Sequence, residues 1–321
     1  MNESRRPALV ALDWGTSSLR AYLFDERGTL VERRNRPWGI QHLPQGGYPA
    51  AFRDVAGDWL ERSPTLPVIA AGMVGSRQGW HEVPYVACPA DPAALAAGLV
   101  AFESPCGLLH LVPGVAQEQP RPDVMRGEET QIVGALVTAV DLHGEALCVL
   151  PGTHCKWAMV RDGRVTRFTT YLTGELFALL RDHSILGRPA RDAGGTAATG
   201  PTEAFGRGVE AARSSGAEGI AGRLFTVRSL FLAGRLPADH TLDYLSGLLV
   251  GEEIRSVGTA LGPRDWPPLV LLGDAVLCDR YRVALAQFGI ERVRSLDDTG
   301  PAGLWRIAEA AGLVEPAMRA A

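Results

Sequence analysis

The feature that most constrains this chain is a pattern it writes twice. Val10-Ala-Leu-Asp-Trp-Gly-Thr-Ser-Ser-Leu-Arg-Ala-Tyr-Leu-Phe24 reads as a strand, a tight polar turn over 13–18, and a second strand running back. Leu147-Cys-Val-Leu-Pro-Gly-Thr-His-Cys-Lys-Trp-Ala-Met-Val160 reads the same way. A shift of 137 residues lays Gly15 on Gly152, Thr16 on Thr153 and Asp25 on Asp162. A third strand follows each hairpin, at 29–34 and at 165–172. Three Gly or polar positions in register, with matching turns, argue for duplicated domains rather than two unrelated hairpins. The length, 321 residues, also exceeds what one hydrophobic core usually serves.

The spacing of apolar residues fills in the rest. Helical periodicity is predicted over 48–62, 92–102, 126–140, 175–182, 203–213, 218–232, 242–257, 276–288 and 301–313. Short buried strands are predicted at 67–71, 108–112, 267–275 and 291–296. Residues 113–124 read as loop, and the Ala/Gly-rich 193–200 as a flexible one.

Charge and cysteine usage exclude several classes. The net charge is -4, so there is no basic field to hold nucleic acid or an acidic membrane surface. No apolar run approaches the ~18 residues a membrane span needs, and the first seven residues lack the apolar core of a signal peptide. Five dispersed cysteines without a CxxC pair indicate reduced thiols. A cytoplasmic protein is expected. The sequence does not fix the oligomeric state, and a homodimer is compatible with it.

The first turn has the means to hold phosphate. Gly15 lets the backbone approach an anion, and Thr16, Ser17 and Ser18 add hydroxyls to converging amides. Asp13 faces the same spot, where a carboxylate needs a cation such as Mg2+ between itself and the phosphates. Gly152 and Thr153 repeat the device. Two such turns imply a nucleotide in a cleft between the domains, with its nucleoside near Gly273 and Asp274, where a buried strand ends in a Gly-Asp turn.

The order of first phosphate turn, connecting helix, second phosphate turn, nucleoside turn and closing helix resembles the actin/hexokinase/Hsp70 (ASKHA) superfamily. Leu-Asp-Trp-Gly-Thr-Ser (12–17), Ala-Gly-Met-Val-Gly-Ser (71–76), Val-Met-Arg-Gly-Glu-Glu-Thr-Gln (124–131), Pro-Gly-Thr-His-Cys-Lys-Trp (151–157) and Thr-Gly-Glu-Leu (173–176) resemble the 2-dehydro-3-deoxygalactonokinase family within it. The resemblance runs from about residue 8 to about residue 313. It implies an α/β protein of two duplicated ribonuclease H-like (actin-like) domains. The first, 1–140, would carry the sugar-acid site and the second, 141–299, the nucleotide site, with a closing helix in 300–321 packing back on the first. It also implies transfer from ATP, with Mg2+, to the terminal hydroxyl of 2-dehydro-3-deoxy-D-galactonate, a step of galactonate catabolism.

Roles follow for this chain's residues. Lys156 would reach the transferring phosphoryl group as a point charge. Glu128 or Glu129, opening the helix that leads out of the first domain, would accept the hydroxyl proton, with Glu128 preferred. Arg77 and Arg126 would receive the substrate carboxylate, Gly72, Gly75 and Ser76 would offer amides, and Thr173 and Glu175 would close on sugar or nucleotide. In one departure, Leu150 stands where Asp13 maps, so metal duty falls on Asp13, helped by Asp274 or a glutamate of the pair. The rivals are a kinase of the gluconate-derived epimer, a polyphosphate-type phosphohydrolase using Glu128 on water, and a non-catalytic nucleotide-binding protein.

Overall fold

The structure, a computed structural model, describes residues 6–194, 200–262 and 266–315. Most of the loop expected at 193–200 therefore lies outside the described residues. The chain divides into two units, the first holding the described residues within Met1–Glu145, Ala158–Phe168 and Asp298–Ala321, the second Ala146–Trp157 and Thr169–Asp297.

In chain order the elements are β1 (Pro7–Trp14), β2 (Leu19–Asp25), β3 (Leu30–Arg36), α1 (Gly47–Arg62), β4 (Val68–Ala71), β5 (Val86–Ala87), α2 (Pro92–Ala97), β6 (Val100–Ser104), β7 (Gly107–Leu111), β8 (Val115–Gln117), β9 (Asp123–Met125) and α3 (Glu128–Thr138). There follow β10 (Glu145–Leu150), β11 (Cys155–Arg161), β12 (Arg164–Tyr171), α4 (Thr173–His183), α5 (Arg188–Asp192), α6 (Glu203–Arg213), α7 (Gly219–Leu224), α8 (Thr226–Leu232), α9 (Thr241–Leu261), β13 (Leu269–Leu272), α10 (Ala275–Gln287), β14 (Val293–Leu296) and α11 (Gly300–Ala310).

The duplication is visible in the sheets. The first runs β3-β2-β1-β4-β7-β6, the second β12-β11-β10-β13-β14. In the first, β1 pairs antiparallel with β2 and parallel with β4, and β4 is parallel to β7. In the second, β13 is parallel to both β10 and β14. Each copy is thus a meander of three strands followed by two parallel ones, the ribonuclease H-like order. β1 is apolar on both faces because both are covered: Val10, Leu12 and Trp14 meet Phe52, Val55 and Trp59 of α1, while Leu9 and Ala11 are also fully buried.

Three expectations change. The helix predicted over 92–102 stops at Gly98, and Val100–Ser104 turns into β6 against β7, its alternating pattern outweighing the preceding alanines. The loop of 113–124 contains the short strand pair β8 and β9. The helix of 218–232 breaks at Phe225, where the Thr226 hydroxyl donates to the Arg223 carbonyl and competes with the helical ladder.

Within the first unit α3 and α11 cross at closest backbone range. A Cβ on Gly134 would collide with the Thr299 carbonyl, and one on Gly303 with the Thr130 carbonyl. The Thr299 hydroxyl donates to Gln131 O at 2.8 Å and locks the crossing. This contact fixes the register of α3, whose first turn carries Glu128 and Glu129.

Candidate functional site

In the first unit the site grows from parallel strand ends. Asp13 of β1 pairs in register with Ala71 of β4, so the turn after β1 and the loop after β4 leave the same edge of the sheet. That edge is where open α/β sheets place ligands. Gly72 has φ +94°, and a Cβ there would stand 2.8 Å from Trp14 O. A Cβ on Gly127, at φ +104°, would lie 3.4 Å from the Gly72 Cα. The Asp13 turn, the loop of 72–76 and the start of α3 are therefore stacked backbone on backbone, with glycine where a side chain would hold them apart.

The turn is closed by Gly15 N–H donating to Ser18 O at 3.0 Å, and it leaves Thr16 and Ser17 exposed. Its outer carbonyls accept from Ile40 and Gln41, while Gly39 lies against Thr16 and Ser17 too closely for any side chain. Asp13 Oδ2 pairs with Arg20 Nη1 at 3.1 Å. Loss of solvent raises the Asp13 pKa, Arg20 lowers it, and the charge of Asp298 raises it again. Asp298 is held at φ +51° just before α11 and is ion-paired to Arg33.

Next to this turn are buried donors in want of an acceptor. Arg126 donates through Nη2 to Val83 O at 2.6 Å, and its guanidinium lies over the Tyr85 ring at 4.4 Å. Its Nε and Nη1 are buried without a hydrogen-bond partner among the described residues, as is the Ser76 hydroxyl. The Nη1 atom abuts Gly75, where an added Cβ would stand 3.1 Å away. An unpaired buried charge is costly, so the arrangement is suited to an anion. Arg77, by contrast, is exposed and outside this cluster.

The glutamates differ in kind. Glu128 Oε2 accepts from Arg126 N–H at 3.0 Å. Glu129 is 1 % exposed, and both its oxygens accept from Gly127 N–H, at 2.9 and 2.7 Å. Burial, and then the charge of Glu128, push the Glu129 carboxyl up to about 8 from 4.5. Between those two pH values the unfolded chain gives up a proton that the folded chain keeps. The stability this carboxyl contributes is complete below pH 4.5 and is lost as pH rises through 8. Glu129→Gln should therefore flatten the fall of melting temperature between pH 5 and 8. The slope removed is about 1.4 kcal/mol per pH unit at most. Parallel melting curves for parent and variant would refute this.

The second unit repeats the plan with other side chains. Val149 of β10 pairs in register with Leu271 of β13, so the Gly152 turn and Gly273 leave one sheet edge together. Gly273, at φ +125°, is the counterpart of Gly72, and a Cβ on it would be 3.9 Å from Pro151 O. Thr153 and His154 are exposed. Among the described residues, no atom lies within 4 Å of where a Gly152 Cβ would be. Gly174 abuts Gly152 and Thr153 as Gly39 abuts the first turn, and Glu175 N–H donates to Thr153 O at 3.0 Å. His154 Nε2 meets Glu175 Oε2 at 2.5 Å.

Other expected residues are committed elsewhere. Lys156 is 5 % exposed, not a solvent-facing strand lysine, and its Nζ donates to Thr170 Oγ1 at 2.9 Å. Asp274 caps α10, its Oδ1 accepting from Leu277 N–H at 3.1 Å. The Thr173 hydroxyl donates to the buried carboxylate of Glu253 rather than pointing at a ligand. Sequence reasoning missed Glu253 and Asp298. The Asp-Asp-Thr-Gly string before α11 was a usable signal for Asp298; for Glu253, the second acid of the Gly-Glu-Glu string 251–253, the only signal was the likeness of that string to Gly-Glu-Glu at 127–129. The open groove lined by Phe52, Leu60, Leu66, Cys106 and Leu108 contains none of these residues.

A profile of the 2-keto-3-deoxy-galactonokinase family matches residues 13–307. The 2-dehydro-3-deoxygalactonokinase of Escherichia coli K12 is 33 % identical over 303 residues, which is 94 % of this chain and 97 % of that protein. A probable 2-dehydro-3-deoxygalactonokinase of Rhizobium meliloti 1021 is 36 % identical, over 94 % of this chain and 96 % of its own. A crystal structure of a candidate 2-dehydro-3-deoxygalactonokinase from Sinorhizobium meliloti superposes with a TM-score of 0.85 at 36 % identity, covering 94 % of this chain and 98 % of that one. Component A of (R)-2-hydroxyglutaryl-CoA dehydratase from Acidaminococcus fermentans, at 12 % identity and a TM-score of 0.50, shares the fold.

Proposed function

The chain belongs to the 2-keto-3-deoxy-galactonokinase family and is a sugar-acid kinase; from this premise we propose that it transfers the terminal phosphoryl group of ATP to the 6-hydroxyl of 2-dehydro-3-deoxy-D-galactonate. The product is 2-dehydro-3-deoxy-6-phosphogalactonate. The observation that carries the substrate class is the group of buried, unpartnered donors on Arg126 and Ser76, beside the start of α3. A carboxylate would satisfy them.

The remaining roles follow from position. Glu128 accepts the proton of the attacking hydroxyl. Glu129, buried beside it, holds its proton near neutral pH and so is not the group that takes one up there. Each unit's turn serves by itself as a phosphate cradle: Thr16 and Ser17 offer exposed hydroxyls in the first and Thr153 one in the second, while Gly15 and Gly152 let an anion approach the backbone. Lys156 adds a positive charge two residues beyond His154, acting from inside the second unit. Asp13 suits Mg2+: it is a hard oxygen donor whose charge is opposed by Asp298, and Mg2+ keeps several of its own waters. When bound, the ion would neutralise charge on the phosphates. Gly273, with no Cβ, leaves room for the nucleoside. Five unpaired cysteines support a cytoplasmic setting.

A coupled assay tests the whole reading. ATP consumption should depend on added 2-dehydro-3-deoxy-D-galactonate and exceed that with its gluconate-derived epimer or the parent aldonic acids. Consumption that ignores the sugar acid would mean a phosphohydrolase, and turnover with none of these acids would mean a different substrate.

A further inference from the structure

Glu253, in the middle of α9, has no part in the roles assigned so far. It is 2 % exposed and sits in the second unit. Its Oε1 accepts from Trp157 Nε1, and its Oε2 accepts from the Thr173 hydroxyl and, at 2.8 Å, from the Tyr281 hydroxyl. The Cys155 thiol also bonds to it. Four donors from β11, α4 and α10 thus converge on one carboxylate.

The donors are not scattered over the unit. Cys155 is the residue after His154 and the first of β11, so it ends the exposed turn of 152–154. Thr173 opens α4 and precedes Gly174, which lies on Gly152 and Thr153, and Glu175, which donates to Thr153 O. The two backbone segments that make up the turn and its collar are therefore both tied to Glu253, one through Cys155 and Trp157, the other through Thr173. Tyr281 anchors the carboxylate from the opposite helix. We propose that Glu253 is a positioning residue for the second phosphate turn, holding the Gly152–Thr153 backbone and the start of α4 in the arrangement that receives ATP phosphate.

The inference rests on the phosphate reading of that turn. A carboxylate is the group that fits, because all four partners are donors and only a carboxylate offers lone pairs on both oxygens. Glutamine keeps the size but turns an NH2 toward one or more of these donors. The pocket then reorganises, and the turn above it loosens. Supporting shells matter in this way because a site displaced by about 1 Å loses its function while the fold survives.

The test compares four variants by steady-state kinetics and melting temperature. Glu253→Gln should raise KM for ATP about tenfold or more, the scale of losses on removing an outer-shell partner, with KM for the sugar acid unchanged. Thr173→Val, which removes one donor and little volume, should raise KM for ATP in the same direction and stands in if Glu253→Gln fails to fold. Asp243→Asn is the structural control, since Asp243 is an equally buried carboxylate of the same helix, paired with Arg280 at 2.9 Å and with the Thr202 hydroxyl at 3.1 Å rather than with the turn or its collar. It should lower melting temperature without raising KM for ATP. Gly152→Val reports on the turn itself, because its new side chain enters open space. If Gly152→Val leaves KM for ATP unaltered, the phosphate reading fails. If Gly152→Val raises it while Glu253→Gln and Thr173→Val move it no more than Asp243→Asn does, the role of Glu253 is refuted and the phosphate reading stands.

Discussion

Glu128→Gln should lower kcat by about 10²–10⁴-fold, the usual contribution of a positioned general base. The amide keeps the shape, and its oxygen still accepts from Arg126 N–H as the carboxylate does at 3.0 Å. What it loses is the ability to take a proton from the sugar hydroxyl. KM for ATP and melting temperature should change little, which separates lost chemistry from lost folding. The companion Glu129→Gln sharpens the assignment. Glu129 carries its proton up to about pH 8, so glutamine imitates the form already present at neutral pH. Its kcat at pH 7 should stay within a few-fold of the parent. The two glutamates exchange roles if Glu129→Gln proves the dead variant and Glu128→Gln the active one.

Arg126→Ala should cost about 2–3 kcal/mol in kcat/KM for the sugar acid, roughly 30–150-fold, the range for losing hydrogen bonds to a charged group. Arg126→Lys should recover little. An ammonium has no planar face to lie over Tyr85, and its compact charge cannot bond Val83 O while also supplying the directed N–H groups now without partners. A simple loss of activity would not identify the contact, since Arg126 also braces its loop. The decisive comparison uses the sugar acid and its primary amide. The parent enzyme should discriminate strongly between them, and Arg126→Ala should discriminate far less. Equal discrimination by both proteins would place the carboxylate elsewhere.

The duplicated plan was legible in the sequence because tight polar turns between strands are made by short, local means. A glycine, a threonine and flanking apolar strands occupy consecutive positions, and a second copy can be laid over the first. The loop of 72–76 and the glutamate pair were legible for the same reason. What the sequence hid is made of distant partners. Glu253 lies 96 residues from Trp157 and 80 from Thr173, and it sits in an amphipathic helix where an acid normally faces water. The stray donors of Arg126 were equally hidden, since any arginine beside a glycine reads alike until Val83 and Tyr85 are seen to use part of it. The equivalence of Gly72 and Gly273 also needed the sheets, because the insertion of α4 to α9 destroys any constant spacing between them. The alanines of 92–102 misled for the opposite reason: helix propensity was read past Gly98 into a strand that its partner β7 had already claimed.

The crossing of α3 and α11 has a further meaning. Gly134 and Gly303 belong to neither polar turn, yet a single methyl at either would push the helices apart and displace the start of α3, which carries Glu128. The aim of the proposed base is thus set by two positions that have no side chain at all. A programme to retrain this kinase on another sugar would find its freedom in the loop of 72–76 and meet a wall at these two glycines. Evolution has the same choice: it can redraw a loop more easily than the helix crossing on which the start of α3 rests.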